Sequence, residues 1–318
     1  MRLLIIGASG FLGTHIRRRA CAAGLDVVTA GRSPLPGSPG HRLADLAGPT
    51  AGQPAAVGAM LADVAPDAVV NCAGATGGPP GELAAVNVDG TYALVQAMLR
   101  TAARLVHLGS AAEYGPAAPG VPVTEQAPAR PAGLYGATKL AGTRLVELAV
   151  AAGLDAVVLR VFNPVGPGAP VTSLPGRLAA ELRRALADGA DVRLGPLDAV
   201  RDFVDARDVA DAVLAAVTAG SLPHPVLNVG SGQAVPVRAL AAGLATVSGC
   251  TAGVREDGPG QPRSADIPWQ QADISLARGD LGWRPRRDLA TSLADLWAAG
   301  GESAGRAAGG ESGRVAVG

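Results

Sequence analysis

Aromatic side chains are scarce in this chain, with three Trp, three Tyr and three Phe among 318 residues. The core must therefore be built from Ala, Val and Leu, and each tyrosine stands out. Neither sign of charge is in excess: 27 Lys and Arg balance 27 Asp and Glu. That balance removes the electrostatic case for nucleic acid or an anionic membrane surface as a partner. Cysteine is limited to Cys21, Cys72 and Cys250, an odd number, widely spaced, which predicts reduced thiols and a cytoplasmic protein. The four histidines, His15, His41, His107 and His224, are equally scattered, so no metal site is expected. Long apolar runs are missing too. The opening "MRLLIIGASGFLG" is broken by glycine after a few residues, too early for a membrane span, and lacks a small-residue cleavage site. It reads as a buried strand.

What is present is an alternation. Short runs that are apolar throughout ("RLLII" 2–6, "LDVVTA" 25–30, "AVVNC" 68–72, "RLVHL" 104–108, "AVVLRVF" 156–162, "VLNV" 226–229) are separated by longer helical patterns. Uninterrupted apolar runs suit strands covered on both faces, and crossover helices between them predict an α/β fold with a doubly wound parallel sheet. After residue 163 the pattern loosens into Pro- and Gly-rich stretches. The predicted division is a dinucleotide-binding unit over 1–163 with 201–232 returning to it, a smaller discontinuous lobe over 164–200 and 233–300, and a Gly- and Ala-rich flexible tail over 301–318.

"GASGFLG" follows the first strand, with Gly7, Gly10 and Gly13 spaced for a sharp turn, close approach to a pyrophosphate, and tight helix packing. At the end of the second strand the chain reads "TAGRS". Without a carboxylate there, Arg32 and Ser33 could receive a 2′-phosphate, which favours NADP(H) over NAD(H); Arg32 as a solvated loop cation is the competing reading. Asp45 in "LADLAG" is placed for adenine contact or for a surface turn. "LYGATKLAG" (134–142) sets a phenol and an ammonium one helical turn apart on one face, an amphipathic helix with a half-buried Tyr and a solvated Lys being the competing reading. A tyrosine serving as acid/base near neutral pH needs its pKa lowered by about 3 units, roughly 4 kcal/mol. A cation about 5 Å away at an effective dielectric of about 20 supplies on the order of 3 kcal/mol, and a second one, such as an oxidised nicotinamide, completes it.

In this order along the chain, "GASGFLG", "NCAG" (71–74), "NVDGT" (87–91), "GSAAEYG" (109–115), "YGATK" (135–139), "RVFNPVGPG" (160–168), "RDFVDARDVA" (201–210), "NVGSG" (228–232) and "ADISLARGDLGWRP" (272–285) resemble the extended short-chain dehydrogenase/reductases. That Rossmann-type branch holds the nucleotide-sugar epimerases, dehydratases and ketoreductases. The resemblance implies Tyr135 as acid/base, Lys139 on the nicotinamide ribose, and Ser110 hydrogen-bonded to the reacting oxygen. It implies that the short residues between Tyr135 and Lys139 leave room for the cofactor. It places Gly7, Ser9, Gly10, Phe11, Leu12, Gly13, Arg32, Ser33, Asp45, Leu46, Ala73, Gly74, Asn87, Tyr135, Lys139 and Phe162 around the dinucleotide. Asn163, Arg201 and Arg263 match positions that contact a nucleotide-sugar diphosphate, surface ion pairs with Asp202 or Asp266 being the alternative for the two arginines. Thr76 faces the sugar or is a plain loop hydroxyl. Tyr114 and the three tryptophans are expected in the core.

Members that dehydrate carry an Asp-Glu pair after the Ser/Thr, where this chain has Ala111 and Ala112. Alanine delivers no proton, so dehydration is disfavoured. The expected activity is NADPH-dependent reduction of a nucleotide 4-keto-6-deoxyhexose, with an NAD-dependent nucleotide-sugar 4-epimerase as the alternative and a non-catalytic dinucleotide sensor as the alternative of another class. Apolar faces over 82–103 and 134–152 imply, on the same resemblance, a homodimer.

Overall fold

Apolar runs without alternation become strands buried on both faces. β1 (Arg2–Ile6), β2 (Asp26–Gly31), β3 (Arg42–Leu43), β4 (Ala68–Asn71), β5 (Arg104–Ser110), β6 (Ala156–Val161) and β7 (Val226–Val229) form one parallel sheet in the order β7-β6-β5-β4-β1-β2-β3. The computed structural model describes residues 1–38, 40–46, 48, 54–258 and 267–309, with side chains through residue 300. The helices are α1 (Phe11–Ala22), α2 (Pro54–Val64), α3 (Pro80–Ala84), α4 (Gly90–Met98), α5 (Leu134–Ala151), α6 (Leu174–Asp188), α7 (Ala206–Thr218), α8 (Val237–Ser248), α9 (Ser275–Leu281) and α10 (Leu289–Gly309). α3 and α4 are joined without a break by a single π-helical turn, Ala85–Asp89; such turns recur at functional sites because they turn a side chain out of the regular register.

One face of the sheet packs against α1, α7 and α9, and the other against α2, α4 and α5, each over a core of Val, Leu, Ile and Ala. A third core, with Leu178, Leu182, Leu240, Leu244, Leu293 and Leu296, fills the smaller lobe built from α6, α8 and α10. The chain crosses from the sheet to this lobe after residue 163 and returns at 204–205, which pair with 164–165 before α7 packs on α1 and β7 joins β6. α10 carries the backbone through 301–309, where the sequence predicts a flexible tail; residues 310–318 lie outside the described residues.

The strand order reverses at β1, with β2 on one side and β4 on the other, and Ile6 is level with both Ala30 and Asn71. The carboxyl ends of β1, β2 and β4 therefore open one crevice at the topological switch point, the usual ligand position in such sheets.

Candidate active site

The turn after β1 is built around atoms that leave no space for side chains. Gly7 has φ +82°, and a Cβ there would stand 2.7 Å from the Ala73 backbone nitrogen. A Cβ on Gly13 would come within 2.2 Å of the Gly7 carbonyl oxygen. Gly10 precedes α1 and supplies no side-chain cap, leaving the first N–H groups of the helix for an anion. This cradle fits a dinucleotide diphosphate. The cleft beside it has a volume of about 1020 Å³ and is lined by Gly7, Ser9, Gly10, Arg32, Ser33, Asp45, Leu46, Ala73, Gly74, Thr76 and Tyr135 among others.

Lys139 reaches this region from below. It is buried on α5, and its Nζ donates to the Leu108 carbonyl at 2.6 Å. The ammonium lies beneath the loop after β4, about one van der Waals contact, 4.0 Å, from where a Cβ on Gly74 would stand. Burial lowers the Lys139 pKa, opposed by the nearby Glu113 carboxylate. Asn87, buried in the π-helical turn, spans the same loop: Oδ1 accepts from Ala75 N–H at 3.0 Å, and Nδ2 donates to Ala75 O at 2.9 Å and Thr138 Oγ1 at 3.0 Å. Asn87 and Lys139 stand behind the cleft wall rather than on it.

One of the short residues between Tyr135 and Lys139 has a use that the sequence did not announce. A Cβ on Gly136 would lie 2.3 Å from the Ala112 carbonyl oxygen. The glycine lets the start of α5 rest on the turn at 111–113, which brings Tyr135 and Ser110 to one cavity. Thr138 is spent on Asn87 and on the Tyr135 carbonyl. Phe162 departs from expectation as well: its N–H pairs with Val229 O, extending the strand, and its ring is fully buried against Tyr114, on neither cavity wall.

That second cavity, about 870 Å³, lies between the sheet and the smaller lobe and is lined by Phe11, Leu12, Gly13, Thr76, Ser110, Tyr135, Asn163 and Arg201 among others. Gly10, Cys72, Gly74, Thr76, Tyr135, Thr172 and Arg177 line both spaces, so the two meet at Tyr135. Arg201 is buried, donates to Val200 O at 2.9 Å, and burial pulls its pKa down to about 10. The Asp202 carboxylate is turned away to Ser231, Gly232 and Ala272. Asn163 lines the cavity while its Nδ2 donates to Asp202 O at 2.9 Å. Arg263 lies outside the described residues. Sequence reasoning missed Arg177, in the first turn of α6, a cation on the walls of both cavities.

It also left Glu113 without a role. Glu113 is fully buried; Oε1 accepts from Ser110 N–H at 2.7 Å and Oε2 from Arg160 Nε at 2.7 Å. Ser110 Oγ accepts from Ala112 N–H at 3.2 Å, closing a reciprocal cap on the short turn. Arg160 lies 4.6 Å over the Tyr114 ring, whose hydroxyl donates to Asn228 Oδ1 at 2.7 Å; burial pushes the Tyr114 phenol up to about 12. Glu113 thus braces Ser110 from behind and does not face the cavity, and Tyr114 is a packing residue. Among the described residues no group of His, Cys, Asp and Glu is arranged to hold a metal ion, and no helix is long and apolar enough to cross a membrane.

A glycine cradle at the switch point, meeting a second cavity at a Tyr with a buried Lys behind the wall, defines an NAD(P)-dependent enzyme of the extended short-chain dehydrogenase/reductase type. The chain belongs to the NAD dependent epimerase/dehydratase family, whose model matches residues 3–230. It is 42% identical over 306 residues to dTDP-6-deoxy-L-talose 4-dehydrogenase (NAD(P)(+)) of Kitasatospora kifunensis, covering 94% of this chain and 95% of that one. Among solved structures, MoeE5 in complex with UDP-glucuronic acid and NAD is similar at TM-score 0.82 and 28% identity, over 95% of this chain and 100% of that one. RMD from Pseudomonas aeruginosa complexed with NADPH is similar at TM-score 0.78 and 27% identity, over 94% and 96%.

Proposed function

We propose that the protein is an NADPH-dependent 4-ketoreductase of a nucleotide 4-keto-6-deoxyhexose. The observation that carries this reading is the junction of the two cavities at Tyr135, with Ser110 beside it and alanine at 111 and 112. A space for a dinucleotide and a space for a nucleotide sugar then share one acid. Arg32 and Ser33 at the end of β2 support a 2′-phosphate, and the dTDP-linked 4-dehydrogenase relative supports a dTDP-6-deoxyhexose.

When bound, the nicotinamide supplies the hydride that reduces the ketone. Tyr135 delivers its phenolic proton to the sugar oxygen, and the Ser110 hydroxyl donates a hydrogen bond to the same oxygen, holding it against the phenol. Lys139, anchored on Leu108 O, sets a positive charge one helical turn from that phenol and favours its ionised form after the proton has left. Arg201 and Arg177 hold the diphosphate, and burial of Arg201 strengthens its pairing with an anion. The reading includes free thiols in a reducing compartment and a homodimer through α4 and α5, which expose Tyr92 and Leu148.

The test is a panel of dTDP- and GDP-linked 4-keto-6-deoxyhexoses with NADPH and NADH, read by cofactor absorbance and product analysis. The reading expects one cofactor oxidised per sugar reduced. Interconversion of two sugars at C4 with no added cofactor would establish the 4-epimerase instead.

A further inference from the structure

The end of β2 lacks a carboxylate in sequence, but the fold supplies one from elsewhere. Glu82, on α3, lines the cleft opposite Arg32, and its Oε1 stands 3.9 Å from Arg32 Nη1. Both side chains are exposed, at 67% for Arg32 and 46% for Glu82, so their contact spans the mouth of the cleft. The loop after β4 leaves room for that carboxylate. Gly78 has φ +110°, and a Cβ on it would meet Glu82 Oε2 at 2.7 Å; the missing side chain lets the carboxylate lie on the loop after β4. The charged side chains on this cleft among the described residues are Arg32, Asp45, Glu82 and Arg177, and the last of these also borders the other cavity.

Resting on the cofactor reading above, we propose that Glu82 is a specificity-determining residue: it holds Arg32 across the cleft, repels a 2′-phosphate and accepts a hydrogen bond from a 2′-hydroxyl, so that the protein takes NADH as well as NADPH. The physics is a competition. The guanidinium gains a bidentate partner in a 2′-phosphate, but a doubly charged phosphate must displace the carboxylate and then sit near it. A free 2′-hydroxyl carries no such cost and can donate to Glu82. Coulomb repulsion between a unit charge and a phosphate of charge about −2, at about 6 Å in salt-screened water, corresponds to about a 3- to 10-fold change in affinity.

The test uses binding rather than turnover: calorimetric titration of adenosine 2′,5′-bisphosphate and of 5′-AMP into the full chain, its Glu82→Gln variant and its Arg32→Gln variant. Glu82→Gln is expected to tighten the bisphosphate about 3- to 10-fold and to change 5′-AMP by less than about twofold, with the gain shrinking as salt is raised. Arg32→Gln should move the preference the other way. An unchanged ratio of the two affinities in Glu82→Gln, with both nucleotides bound, overturns the role of Glu82 alone. Failure of the unaltered chain to bind either nucleotide overturns the cofactor reading and this proposal with it.

Discussion

In the proposed reaction Tyr135 is the proton donor, and its neighbours set its position. Tyr135→Phe removes one oxygen, so turnover is expected to fall by about 10²- to 10⁴-fold while fluorescence titration shows cofactor affinity essentially unchanged. Glu113 acts indirectly, through Ser110. Glu113→Gln keeps the shape but leaves the buried Arg160 without its counter-charge, a loss of about 3 to 5 kcal/mol in urea unfolding. In the folded fraction of that variant kcat should drop with little change in KM, because one amide oxygen cannot accept from both Ser110 N–H and Arg160 Nε and the turn carrying Ser110 loosens, while Arg201 and Arg177 are untouched. Residues that a local pattern announces were legible: the glycines after β1, and the Tyr135 and Lys139 pair one turn apart. Residues whose partners arrive from afar were not. Glu113 meets Arg160 across 47 positions, and no spacing rule links them. Arg177 is one arginine among several in α6 until the lobe folds over both cavities. Phe162 follows a strand whose pairing continues one residue further, which turns its ring into the core.

Elements place these residues through close approaches that only glycine permits. Gly136→Ala pushes a Cβ toward the Ala112 carbonyl, so α5 must lift from the turn that carries Ser110. The expected outcome is a stability loss of about 1 to 3 kcal/mol in denaturant and a collapse of turnover, with dinucleotide binding retained. Gly13→Ala acts on the other ligand: its Cβ would collide with the Gly7 carbonyl, opening the cradle and abolishing cofactor retention on a dye-affinity or calorimetric assay. The strands were readable because a sheet covered on both faces demands continuous apolar runs. The purpose of Gly136 was not, since the atom it makes room for belongs to a turn 24 positions earlier. The π-helical turn that aims Asn87 at Ala75 likewise leaves no mark in the periodicity.

Across the whole molecule, two buried histidines tie pH to stability. His107 lies under the sheet's crevice, hydrogen-bonded to Asn71 at 3.1 Å, and burial with the nearby Lys139 charge drives its pKa well below 6.5. His15 on α1 reaches the loop entering the smaller lobe, its Nε2 donating to Pro167 O at 2.9 Å, and burial lowers its pKa too, against that hydrogen bond. A group with a lowered folded pKa binds protons more weakly in the native state, so its stabilisation is full above about pH 6.5 and is lost as pH falls through the folded value. Thermal melts should therefore show Tm declining below about pH 6.5, with a shallower decline in His107→Asn; an unchanged slope would contradict the assignment. If α4 and α5 form the dimer contact, Leu148→Glu should yield monomers by analytical ultracentrifugation. The smaller lobe was legible only as a loosening of the pattern after 163, because its helices draw their core from three separated segments.

The proposed reaction requires Tyr135 and Ser110 at the oxygen, and the nicotinamide at the carbon, of one sugar carbonyl. The direct measurement supplies NADPH labelled with deuterium at the transferable position of the nicotinamide C4, together with a dTDP-4-keto-6-deoxyhexose, and reads the product by NMR and mass spectrometry. The expected result is one deuterium at C4 of the sugar, in a single configuration, with transfer by Tyr135→Phe reduced in proportion to its turnover. Deuterium absent from the sugar while the product forms, or full transfer by the phenylalanine variant, would contradict it.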